Sequence, residues 1–139
     1  MASPAVWTAA RAKVQAVADA LGLTVAWPNE PSEEPEFDGT GALPMFAAVE
    51  IEADATAPLE IGGSMWRESG RVSVHVLVPS GTGIDAGLAA RKAFADGFRG
   101  QAPGALLWDE FTFPPGGQDQ GEGNWFRLSL GIAYRYTDA

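Results

Sequence analysis

Residues 65–100 read MWRESGRVSVHVLVPSGTGIDAGLAARKAFADGFRG, and the change of period inside this stretch decides the fold. From Gly70 to Val78 the alternation is strict. Val72, Val74, Val76 and Val78 point one way, and Arg71, Ser73, His75 and Leu77 point the other. Four valines on one face predict a strand half buried against helices. Pro79 then removes a ladder donor, and Gly81 and Gly83 permit a tight turn. Beyond the turn the period becomes helical. Ile84, Leu88, Phe94, Ala95 and Phe98 fall on one broad face, and Gly100 stands where a helix-ending glycine would.

Working outward, Ser3-Pro4 reads as an N-cap followed by proline in the first turn. Val6, Trp7, Ala10, Val14, Val17, Ala18 and Leu21 form one helical stripe, which Gly22 ends. Leu23 to Trp27 follows as a short strand. Met45 to Glu52 alternates again, with Met45, Ala47, Val49 and Ile51 opposed to Glu50 and Glu52. Residues 105–113 form an aromatic strand. The last and longest strand, Trp125 to Tyr136, sets Phe126, Leu128, Leu130, Ile132, Tyr134 and Tyr136 against Arg127, Ser129 and Arg135.

Two stretches do not fit a regular element. Residues 28–44, PNEPSEEPEFDGTGALP, hold four prolines and five acidic side chains, a composition that neither a helix interior nor a central strand accommodates. The simpler reading is a solvated connection; the functional one is a docking arm anchored by Phe37. Residues 114–124, PPGGQDQGEGN, have almost no side chain to bury and read as a mobile loop or hairpin tip.

Helices and runs of antiparallel strands in this order make an α+β fold. We expect one domain over 1–139: a single, mostly antiparallel sheet, two helices on its apolar face, and long Pro/Gly-rich loops. The 139-residue length suffices for a core without staples, and the apolar share of 46% is that of a globular protein. The opposite sheet face would carry Glu50, Glu52, Arg71, His75, Arg127 and Arg135, mixed signs suited to cross-strand ion pairs.

Chemistry is hard to find. With no cysteine and a single histidine, His75, a transition-metal site is not expected. The acidic stretch lacks the spacing of a calcium loop. Pro79-Ser-Gly-Thr-Gly lies between a strand and a helix but matches neither phosphate-loop pattern, so it reads as a structural turn. A formal net charge of −9 argues against a general nucleic-acid binder, whose affinity comes from clustered Lys and Arg. No apolar run is long enough to span a membrane, and the N-terminus lacks the pattern of a signal peptide, so a cytoplasmic protein is expected. We expect no enzyme and no cofactor.

The large residues are the unusual feature, with five tryptophans in the chain. Trp66 stands beside Arg67 and Arg71, and Trp125 begins the last strand. Arg91 projects from the apolar face of the second helix, where an unpaired charge would be costly. Either these residues cap the core, or some are buried only on assembly, Trp and Arg being favoured anchors. Phe37, Trp66, Arg67, Arg71, Arg91 and Trp125 are the candidate interface residues.

Trp66-Arg67, Gly70-Arg71, the valine strand, Pro79-Ser-Gly-Thr-Gly and the helix ending Phe94-Ala-Asp-Gly-Phe-Arg-Gly together resemble tail terminator (tail completion) proteins. These serve long-tailed bacteriophages and phage-like gene transfer particles. The opening helix followed by a strand ending Trp27-Pro28-Asn29 fits the same group. The resemblance implies a structural subunit of the virion tail, assembled in the host cytoplasm, that forms a homohexameric ring on the head-proximal end of the tail tube. Its partners would be its own copies, the tail tube protein and a head completion or connector protein, with DNA passing through the lumen without specific binding. Two other readings remain: another head-tail joining or tail tube component, and a small-ligand-binding α+β domain.

Overall fold

The computed structural model describes residues 3–30, 45–59, 63–99, 104–118 and 125–138. Phe37 and most of the acidic stretch lie outside them, as does Gly100.

Helix α1 (Pro4–Leu21) begins and ends where its sequence signals say. Ser3 is extended and Pro4 opens the first turn. At the other end Gly22 takes the left-handed conformation, and the N–H of Leu23 reaches back to the Ala18 carbonyl at 2.9 Å. Val6, Ala10, Val14 and Ala18 are its buried stripe, while Leu21 is exposed.

Strands β1 (Thr24–Ala26), β2 (Phe46–Pro58), β3 (Trp66–Pro79), β4 (Leu106–Thr112), β5 (Gly117–Gln118) and β6 (Trp125–Asp138) form one sheet. The order is β1-β2-β3-β6-β4, with β5 also paired to β6. Among the described residues only β1 and β2 run parallel; every other pairing is antiparallel. The architecture is α+β with a single, mostly antiparallel sheet, as expected. Strands β2, β3 and β6 are longer than their alternation indicates, because β2 and β3 continue as a hairpin to the Pro58–Trp66 pair. Of the stretch expected as a loop or hairpin tip, 114–124, residues 117 and 118 form a short strand, β5, opposite Arg127 and Phe126, and residues 119–124 lie outside the described residues.

The central register explains the core. Val72, Val74 and Val76 lie opposite Ile132, Leu130 and Leu128, and all six are buried under the helices. Burying each such side chain contributes about 1.5–3 kcal/mol relative to leaving it exposed. Helix α2 (Asp85–Phe98) covers them with Ala90, Phe94, Ala95 and Phe98.

Ile84 and Leu88 do not share that face: they are 41% and 37% exposed. The contact stripe runs through Gly87 instead. A Cβ there would come within 2.5 Å of Leu128 Cδ1 and 2.9 Å of Val78 Cγ1, so the bare backbone sets how closely α2 approaches the sheet. Hydrophobicity counting overlooks a glycine at a helix-packing centre.

Bulges matter as well. Trp108 pairs with Tyr134 and Phe111 with Ile132, so β4 spends three steps against two on β6. The extra residue places Trp108 and Phe111 on the same, inward face despite their opposite parity. Trp108 meets Phe98 edge to face at 4.8 Å between centroids.

Candidate assembly interface

The face of the sheet away from the helices carries the mixed charges that alternation predicts. His75 Nδ1 lies 2.7 Å from Ser129 Oγ, and its Nε2 lies 3.6 Å from the Glu50 carboxylate. This chain of contacts crosses β6, β3 and β2, a cross-strand ladder on an open sheet face. Arg135 and Asp109 make a further pair at 3.2 Å. Exposed pairs of this kind contribute about 0–1 kcal/mol each.

One end of that face is apolar. Trp125 is 2% exposed and packs on Phe46 and Leu77, with the Phe46 ring edge to face at 4.7 Å. Strand parity turns its indole away from the helices and into this small cluster. Trp125 therefore needs no second copy to be buried. Arg71 lies mid-strand, exposed, opposite Glu52 and Ala133, and its stem passes over Gly131.

Arg91 finds its partners within the chain. Its Nη1 donates to the carbonyl oxygens of Pro114 and Ser129, each at 3.3 Å, and the guanidinium lies 5.2 Å from the centre of the Phe113 ring. The reason is a gap in the pairing of β6. Strand β4 stops at Gly131 and β5 resumes at Arg127, so the Ser129 carbonyl between them is met by a side chain. An arginine in an apolar stripe is thus satisfied by a backbone gap that no local pattern reveals.

Trp66 and Arg67 are placed differently. Trp66 is 46% exposed, opposite Pro58 on β2 and Asp138 on β6. Leu59 and Met65 close the same hairpin, joined by a backbone hydrogen bond of 3.0 Å, and are 44% and 39% exposed. The described part of the helix layer ends short of them, since the Ser3 N–H at the start of α1 meets the Glu68 carboxylate. The sheet overhangs its helices here and exposes an apolar tip, with Arg67 beside it. Sequence reading picked out Trp66 and missed Leu59 and Met65, which become its neighbours only through the hairpin register.

At the other end of β3 the Pro79–Gly83 turn is held by Thr82, whose hydroxyl donates to the Pro79 carbonyl at 2.6 Å. Gly81 and Gly83 have φ of 83° and 84°. Met45, Val78, Pro79 and Ala86 line a shallow, mostly apolar cleft of about 360 Å³ there, with Asp85 on its rim. The first turn of α2 already holds the carboxylate of Asp85, the charge that a helix N-terminus favours. This supports a structural turn over a phosphate cradle.

Among the described residues no group of three or more His, Cys, Asp or Glu is arranged to hold a metal ion. Among the described residues no helix is long and apolar enough to cross a membrane.

A family model described as phage tail terminator protein matches residues 5–134. Comparison with curated proteins gives no match. Among solved structures, one whose title states no function superposes with a TM-score of 0.61 at 19% identity, over 98% of this chain and 96% of its own. At that identity the likeness speaks for the fold alone.

Proposed function

This chain belongs to the phage tail terminator family, a family of structural tail proteins, and from that premise we propose that it caps the head-proximal end of the tail tube. It does so as a ring, a homohexamer, that ends tube polymerisation and forms the joint to the head completion or connector protein. DNA passes through the lumen of the ring. The observation that carries this reading is the family match over nearly the whole chain.

Charge supports it. A channel through which DNA slides should not hold phosphate, and the net charge of −9 disfavours sticking. A head-to-tail interface that closes by rotation makes a ring without a second kind of subunit, and the exposed hairpin tip is a surface of the sort such an interface buries.

The test is tube growth. Tail tube protein polymerised with and without this protein is measured by electron microscopy, alongside the solution mass of the protein by light scattering. The reading expects a ring on tube ends and arrested elongation. Tubes that keep growing with this protein bound would assign it to a neighbouring joining role. No binding to tubes would overturn the proposal.

A further inference from the structure

A sheet that does not close into a barrel has edges, and an edge strand offers unpaired backbone N–H and C=O groups to any other strand. Among the described residues the open sides of this sheet belong to β1, β2, β4 and β5. Strand β1 is three residues long and runs into Trp27-Pro28, and β5 is two residues long, so neither offers much to pair with. Between β4 and β5 the outer side of β6 is met by Arg91, which donates to the Ser129 carbonyl.

Two longer edges remain. Strand β1 covers the outer side of β2 only from Phe46 to Ala48, and residues 49–58 pair with β3 alone. That is roughly 30 Å of open edge at ~3.3 Å per residue. The second edge is the outer side of β4, residues 106–112, which pairs with β6 alone.

Both edges are built alike. Each contains a β-bulge, and in each the bulge carries acid. On β2, Ala53 lies opposite Gly70 and Ala55 opposite Ser69, so Asp54 is the extra residue. On β4, the irregularity between Trp108 and Phe111 falls on Asp109 and Glu110. All three side chains are exposed, and so are Glu50 and Glu52 beside the first bulge. A bulge twists the edge away from a straight partner and breaks the even spacing of its hydrogen bonds. A carboxylate beside it must lose water, or meet another charge, when a strand is added.

Two copies could join edge to edge in three ways: β2 to β2, β4 to β4, or β2 to β4. In every case both strands bring carboxylates, and like charges facing each other across a strand pair destabilise it. We propose that these acidic bulges close both open edges to strand addition, so that copies of this chain do not associate by continuing the sheet. Contacts between copies then fall on the faces and ends of the sheet. The inference goes beyond the ring reading and holds for any oligomeric state of the chain.

The test uses the full chain and asks whether association becomes open-ended. Light scattering and sedimentation cover a wide concentration range, with far-UV circular dichroism as a check on folding and amide hydrogen exchange to locate contacts. One edge variant combines Glu50→Thr, Glu52→Thr and Asp54→Thr. A second combines Asp109→Thr and Glu110→Thr, so that a fold lost in one leaves the other to be read. A control removes charge from the helices instead, with Asp19→Asn, Asp85→Asn and Asp96→Asn.

The first edge variant should begin open-ended association at a concentration lower than the parent chain's by about tenfold or more, with new amide protection along 49–58. The second should do the same with protection along 106–112. The helix control should behave like the parent chain. Edge variants that fold and associate no more than the parent would overturn the proposal. So would a control that associates as readily as they do, since net charge and not the edges would then govern association. Protection gained along 49–58 or 106–112 when the parent chain itself assembles would also overturn it, by placing the contact between copies on an edge.

Discussion

Tyr134 donates its hydroxyl hydrogen to Glu68 at 2.6 Å, and the ring is 1% exposed. Gly70, across the strand pair, leaves the space: a Cβ there would lie 2.7 Å from the phenol oxygen and collide with the Glu52 carbonyl. Burial, then the Glu68 carboxylate, push the phenol well above its usual range. Because the raised value favours the protonated form in the folded state, this stabilisation is complete below the ordinary tyrosine pKa of about 10. It is lost as pH rises beyond that. Thermal midpoints measured from pH 8 to 12 should fall above pH 10, and Tyr134→Phe should remove part of that dependence. At neutral pH the same substitution should cost about 1.5–3 kcal/mol in urea unfolding, the worth of a hydrogen bond to a charged acceptor.

At the scale of elements, the least expected feature is how α2 is fixed to the sheet. Gly87 sets the approach and Arg91, one turn on, reaches the Ser129 carbonyl through the break between β4 and β5. Arg91→Ala leaves that carbonyl and the Pro114 carbonyl without their donor. We expect a loss of about 1–3 kcal/mol by urea unfolding. Lysine at 91 should restore only part of it, since an ammonium lacks the planar fork. The elements themselves were legible: α1 between Ser3-Pro4 and Gly22, the valine strand, and the aromatic alternation of β6 all appear where their periods place them. The bulge in β4 was not, because one extra residue changes the pairing without changing composition. Nor was the exposure of Ile84 and Leu88, which depends on where a glycine lets two surfaces touch.

For the whole molecule, charge sets a condition on assembly. Each copy carries a net charge of −9, so neighbours in the proposed ring would repel at long range. Screening relieves that repulsion, since the Debye length shrinks from about 30 Å at 0.01 M salt to about 8 Å at 0.15 M. Association measured by light scattering should therefore strengthen between those two concentrations. Weaker association at 0.15 M would mean that short-range ion pairs dominate the interface.

The amino-acid sequence by itself determined the periods, and through them the helices, the strands and the inward face of each, because hydrophobic burial on a repeating backbone writes itself into consecutive residues. It also held the family resemblance, which rests on those same elements. Tertiary structure alone decided which large residues remain exposed. Trp66 and Trp125 both sit at strand ends beside charged or glycine-rich neighbours, yet one is half exposed and the other buried. The difference lies in what the adjacent strands and the helix layer place over them: Phe46 and Leu77 cover Trp125, whereas the described helices end before they reach Trp66. Such coverage comes from residues far apart in the chain, and no local pattern encodes it.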